Sequence, residues 1–205
     1  MTNSVLACND ASFGVYSGGS LSITNSTLTT WTNKGNLNGG IFLGDGGNGW
    51  GYAPTAGTME VLEGSSVKTT AVVLKSSQNA LTVKNSSIEA VTKISVGEDA
   101  KVTLEGTATL ETDAMDNAGT ITMDASSDIT AKAITGTGDL VIKLTADEIA
   151  SGITDKVIDV TDGSAFDSIT VVDADGNAVA GFGAFRAEDG DVWVSNADMT
   201  TLYVP

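Results

Sequence analysis

One short phrase of apolar and polar positions recurs along the chain. An apolar residue, any residue, a second apolar residue and a polar one are followed by Asn, Gly, Asp or Ala, and often by Ser or Thr. It spans Leu21 to Ser26 and Ile41 to Asp45, returns in part from Leu62 to Ser65, and recurs from Leu81 to Ser86, Val102 to Thr107, Ile121 to Ser126 and Leu140 to Leu144. With the second apolar residue as anchor, the series is Ile23, Leu43, Leu62, Val83, Leu104, Met123 and Ile142, at intervals of 20, 19, 21, 21, 19 and 19 residues. Period-2 alternation of this kind describes a strand with one buried face. The Asn, Gly or Asp two places after the anchor suits a bend in the left-handed backbone region. Leu28, Val67 and Ile88 then open a second short strand, and Gly- and Asn-rich turns such as 97–99, 117–119 and 136–138 lead back.

A cycle near 20 residues with two or three strands reads as one coil of a β-solenoid. The predicted fold is all-β, a right-handed parallel β-helix of about seven coils of 19–21 residues with a small C-terminal β-rich cap. The coils occupy residues 1–145 and the cap or extension residues 146–205. A leucine-rich repeat has a similar period, but its Asn phrase and helical segment are missing. Stacking predicts an exposed pairing row with Glu63, Lys84 and Glu105, and a row of small hydroxyls at Ser26, Ser65, Ser86, Thr107 and Ser126 that serves turn chemistry. Met59 and Val61 stand out of phase with Leu62, which predicts a bulge. Leu110 and Ile129 fall one place late, so turn lengths vary. Thr145 to Glu148 is a capping-box sequence that predicts a short helical turn, followed by β-type runs at 157–160, 169–172, 182–185 and 192–194.

Charge narrows the function. Ten basic against 26 acidic residues give a net charge of −16, which repels phosphate backbones and anionic membranes. No nucleic-acid partner and no membrane insertion by this segment are expected. The chain has no His and one Cys, so a Ser-His-Asp or Cys-His nucleophile system and the usual zinc site are excluded, as is an internal disulfide. No cofactor, metal ligand or catalytic residue is expected. Asp173, Asp175 and Asn177 resemble the opening of a calcium loop, but Ala184 stands where the bidentate Glu belongs, and a β-turn explains them better. Residues 46–51 echo a calcium-binding Gly-rich nonapeptide, yet Gly51 replaces the Asp and there is no tandem repeat.

The Gly-rich stretch 44–57 carries Trp50 and Tyr52, and with Trp31 these are the candidate ligand-binding side chains. Exposed on a permissive loop, they could stack on a sugar ring or a partner protein; folded back, they would cover the solenoid edge. The rival class is a carbohydrate-active β-helix, a lyase or hydrolase using paired carboxylates. The coils offer Glu60, Glu89 and Glu111 in scattered positions, and the only Arg, Arg186, lies in the cap. Threonine rows of an ice-binding kind, hinted at by Thr29-Thr30 and Thr69-Thr70, are interrupted at Glu89-Ala90.

The Leu21–Ser26 coil phrase, the Ile41–Gly46 phrase and the run Phe185–Val194 together resemble autotransporter-type passenger regions and other large, repetitive bacterial surface β-helix proteins, over roughly residues 15–194. The resemblance implies export to the cell surface or the exterior, a stalk or adhesin role, and a parent chain longer than this one. It carries over no catalytic residues. The expected function is therefore a non-enzymatic structural or adhesive segment, its partner a glycan or a surface protein of a host or neighbouring cell.

Overall fold

A computed structural model of the chain describes residues 1–8, 12–15, 17–30, 39–44 and 55–196. The first strands are β1 (Val5–Ala7), β2 (Phe13–Val15), β3 (Gly19–Thr24), β4 (Thr27–Thr29), β5 (Ile41–Leu43) and β6 (Gly57–Leu62). There follow β7 (Ser66–Leu74), β8 (Asn79–Lys84), β9 (Ser87–Val96), β10 (Lys101–Glu105), β11 (Thr109–Asn117), β12 (Thr120–Asp124), β13 (Asp128–Thr135) and β14 (Asp139–Lys143). Helix α1 (Ala146–Ser151) precedes β15 (Thr154–Val160), β16 (Ser168–Val172), β17 (Gly183–Arg186) and β18 (Val192–Ser195).

The strands form two sheets. Sheet 1 has the order β16-β14-β12-β10-β8-β6-β3, and every pair is parallel. Sheet 2 runs β1-β4-β7-β9-β11-β13-β15-β18-β17, with β2 and β5 joining beside β7. Its strands pair in parallel as far as β15; β18 and β17 are antiparallel. The fold is thus all-β, and successive passes of the chain alternate between two stacked parallel sheets.

Register turns the repeat into columns. In sheet 1, Ile23, Val61, Val83, Leu104, Met123, Ile142 and Val171 stand one above another, beside a second column of Leu21, Met59, Leu81, Val102, Ile121, Leu140 and Ile169. In sheet 2, Leu28, Val67, Ile88, Leu110, Ile129 and Ile158 do the same. The inward faces of both sheets share one apolar core. Burying each such side chain contributes about 1.5–3 kcal/mol.

Two anchors of the sequence reading need correction. Leu43 is not a sheet 1 position: β5 lies in sheet 2, where Ile41, Phe42 and Leu43 pair with Val72, Val73 and Leu74. The Leu62 rung is anchored by Val61 instead, so Met59 and Val61 are in phase and the expected bulge is absent there. The true intervals are 38, 22, 21, 19, 19 and 29 residues. The long first interval arises because the chain between Thr29 and Ile41, and again between Leu43 and Gly57, far exceeds the matching stretches of the next pass. Bulges do occur in sheet 2, between Thr69 and Ala71 and between Thr112 and Ala114, where the long strands β7 and β11 shift register against β9.

The corner after each sheet 1 strand explains the variable turn length. Five-residue steps from anchor to next column use one left-handed Asn, Asn25 (φ 45°) or Asn85 (φ 47°). The six-residue step at Val61 uses Glu63 and Gly64 (φ 50° and 75°), and that at Leu104 uses Gly106 (φ 64°). Glu63 therefore sits in the bend and Leu62 takes its place beside Lys84, leaving Lys84–Glu105, at 3.4 Å, as the realised part of the expected charge row.

The hydroxyl row is likewise real in part. Ser26, Ser65 and Ser86 are buried, and the Ser26 and Ser65 backbone N–H groups donate to the Ser65 and Ser86 hydroxyls at 3.2 and 3.1 Å. The Ser65 hydroxyl in turn donates to the Leu62 carbonyl at 2.6 Å. The column continues through Ala108 and Ser127; Thr107 and Ser126 lie one place earlier, exposed. The expected capping box is present at α1, with Thr145 and Glu148 bonded reciprocally.

Ser65→Ala is expected to destabilise by about 1–3 kcal/mol, because it strands the buried Ser26 N–H. Thr107→Ala, on the same corner but exposed, should stay within about 0.5 kcal/mol. Urea unfolding of both variants checks the contrast.

Candidate functional site

The sequence placed its candidate ligand-binding residues at Trp31, Trp50 and Tyr52, and all three lie outside the described residues. Residues 197–205, the end of the expected cap or extension, also lie outside them. The structure assembles a different set on the outer face of sheet 2.

Outward positions alternate with the core columns, so residues on either side of Leu110, Ile129 and Ile158 face solvent in register. Lys68, Glu89, Glu111, Thr130 and Asp159 form one such row. Ser66, Ser87, Thr109 and Asp128 form the next. At the β13–β15 end the two rows border a groove of about 370 Å³ lined by Thr109, Glu111, Asp128, Thr130, Lys156 and Asp159, with Leu110 and Ile129 at its floor. The groove exists because β15 departs from the regular ladder. A register shift between Lys156 and Ile158 turns both Val157 and Ile158 inward and leaves Lys156 on the outer face.

The charges divide into two groups. Lys156 bridges Asp191 at 3.1 Å and Asp159 at 3.2 Å, and hydrogen bonding to Asp191, then to Asp159, holds its ammonium above the usual lysine range against desolvation. Asp191 is nearly buried (9% side-chain exposure) and accepts the Val160 N–H at 2.9 Å, so this bridge anchors β18 to β15. Asp128 has no such cation. Desolvation, then the field of Asp155, pushes its carboxyl above the ordinary value of 3.8.

An aromatic pair adjoins the groove. Trp193 stands directly across from Lys156 on β18 and from Phe185 on β17, and the Phe185 and Trp193 rings stack at 6.5 Å with planes 11° apart. Directly opposed residues share a sheet face, so the rings lie on the groove's side of the sheet. Carboxylates, hydroxyls and partly exposed rings on one rigid face can hydrogen-bond and stack on a ring-shaped polar ligand.

Of the three scattered glutamates, the structure brings Glu89 and Glu111 into one row and leaves Glu60 on sheet 1. Glu89 is taken up by Lys68 at 2.5 Å. Arg186 donates to the Ser164 carbonyl at 2.6 Å, a cap contact. The Asp173 loop is a turn: its carboxylate accepts the backbone N–H groups of Asp175 and Asn177 at 2.9 and 2.8 Å, and the Asn177 bonds hold it below the usual range. Among the described residues no three His, Cys, Asp or Glu side chains are grouped to hold a metal ion. Asp128, Lys156 and Asp159 escaped the sequence reading because their convergence depends on which strands are neighbours. The signal available was their place beside the Ile129 and Ile158 positions.

Comparison with protein-family models, with curated proteins and with solved structures gives no match.

A raised carboxyl pKa means that ionising Asp128 opposes folding. The penalty is absent below the unfolded value of 3.8 and grows as pH rises through the folded pKa. Asp128→Asn is expected to raise the melting temperature at pH 7 and to leave it unchanged at pH 3 (about one pH unit below the unfolded value). Thermal melts of both proteins at the two pH values decide the sign.

Proposed function

We propose that the two sheets close into a right-handed parallel β-helix, coils through residue 145 and a β-rich cap beyond, which serves as a structural and adhesive segment of an exported, surface-exposed bacterial protein of the autotransporter kind. The observation that carries this reading is the outer face of sheet 2. Its rows keep register from β7 to β15 and present hydroxyls and carboxylates on a stiff, repeated scaffold, ending in a groove beside Phe185 and Trp193. Such a face suits contact with an extended polar partner, and its carboxylates favour neutral or amino sugars over acidic ones. A glycan is the partner class this supports.

A second reading has one observation in its favour. Asp128, whose carboxyl pKa is raised by desolvation and the field of Asp155, shares a groove with the carboxyl groups of Glu111 and Asp159, and glycoside cleavage uses paired carboxyl groups. The test treats both. An immobilised panel of neutral, amino and acidic oligosaccharides is probed with the protein, and soluble members of the panel are incubated with it and assayed for new reducing ends. The adhesive reading expects retention of neutral or amino sugars, weakened about tenfold or more by Glu111→Gln, with no new ends. New reducing ends abolished by Asp128→Asn would replace it with the enzymatic reading, and retention of no sugar would remove the glycan as partner.

A further inference from the structure

We propose that a linear glycan bearing free primary amines lies along the axis of the stack, in a trough over Ser66, Ser87 and Thr109, with its amines against the carboxylates of Glu111 and Asp128. This rests on the glycan reading above and narrows it to one sugar class, one orientation and one length. Register builds the trough. Ser66, Ser87, Thr109 and Asp128 stand one above another on β7, β9, β11 and β13. Two residues further on, the next outward row carries the longer Lys68, Glu89 and Glu111. Two residues before, at the corner, stand Asn85 and Thr107. A row of small side chains between larger ones leaves a channel. A hollow of about 270 Å³ over Ser66, Ser87 and Thr109 meets, at Thr109, the groove of about 370 Å³ that reaches Asp128, Lys156 and Asp159. From β7 to β15 there are four rung steps, about 19 Å, which holds about four pyranose rings end to end. The trough lies on interior rungs, with β4 on one side and β18 on the other.

The groups facing it are available. Among the described residues, the hydroxyls of Ser66, Ser87 and Thr109 and the carboxylates of Glu111 and Asp128 make no hydrogen bond or ion pair. The neighbouring Ser65 and Ser86 hydroxyls, by contrast, donate to the Leu62 and Lys84 carbonyls at 2.6 and 2.8 Å. Lys156, the cation lining the groove, is already bridged to Asp159 and Asp191. Glu111 and Asp128 therefore present negative charge that no side chain of the protein neutralises, and a ligand ammonium complements it.

The direction of the trough selects a sugar over a basic peptide. It crosses the strands, whose N–H and C=O groups are engaged in the ladders between rungs. A peptide that docks by adding a strand needs a free sheet edge, and the trough offers none. A sugar chain brings hydroxyls to Ser66, Ser87 and Thr109, amines to Glu111 and Asp128, and a ring to Trp193 beside Lys156.

Calorimetric titration of the full chain with β-linked glucosamine oligomers of increasing length tests the proposal, at slightly acidic pH where the amines are protonated. N-acetylated and neutral glucan oligomers of the same lengths, and lysine peptides of the same charge, are titrated beside them. Affinity for the glucosamine series should rise with length and level off at about four units. The acetylated and neutral series should bind about tenfold or more weakly. Asp128→Asn, by removing charge, and Ser87→Gln, by filling the trough, should each lower glucosamine affinity about tenfold or more. Both side chains face outward, so neither variant should lower the melting temperature, and Glu60→Gln on sheet 1 should leave binding unchanged. Neutral or acetylated chains held as tightly as glucosamine, and weakened by Ser87→Gln, overturn the amine assignment and leave the glycan reading standing. Lysine peptides bound equally well, or glucosamine binding indifferent to both substitutions, overturn the trough. Binding of no sugar removes the glycan reading itself, and this inference with it.

Discussion

Stacking of like on like at roughly 4.8 Å is the constraint on which this structure depends. Each rung of sheet 1 places an apolar side chain on its counterpart in the rung before, from Ile23 through Val61, Val83, Leu104, Met123 and Ile142 to Val171. No rung can bury its inward face alone; its neighbours bury it. A pass may therefore grow or shrink between rungs, as the 38-residue first interval does, provided that its inward residues return to the columns.

Register in turn rests on the corners. A left-handed Asn or Gly reverses the chain, and the buried serine beside it gives the neighbouring rung's N–H an acceptor. The far corner has its own requirement. Gly138 packs so closely that a Cβ there would stand 2.3 Å from the Gly119 carbonyl oxygen and 2.4 Å from the Asn117 amide nitrogen. Asn117 occupies the column of Leu74 and Val96, fully buried, and its amide nitrogen has no partner there. The glycines that the sequence shows as turn residues thus also make room for the neighbouring rung.

Much of the fold was legible because period-2 alternation and corner residues recur together, and Val83, Leu104, Met123 and Ile142 were placed in the right column. The reading slipped where two phrases look alike for different reasons. Ile41–Leu43 followed by Gly44 (φ 81°) has the same pattern as a sheet 1 strand and corner, yet it belongs to sheet 2. At Val61-Leu62 two adjacent apolar residues left the phase ambiguous, and only pairing with Val83 and Lys84 resolves it. The groove was less legible still. Glu111, Asp128 and Asp159 are separated in sequence by whole passes of the chain, and the shift at β15 that opens the groove has no local sequence mark.

Spin labels at Glu60 and Thr170, in a Cys8→Ser background, test the column register most directly. Both residues face outward in sheet 1, in the row Glu60, Thr82, Thr103, Thr122, Val141 and Thr170. Five rungs separate them, so a double electron–electron resonance measurement should give a backbone separation of about 24 Å, with a single narrow distribution once the label linkers are included. A broad distribution, or a separation that follows the intervening chain length instead of the rung count, would contradict the stacked parallel register.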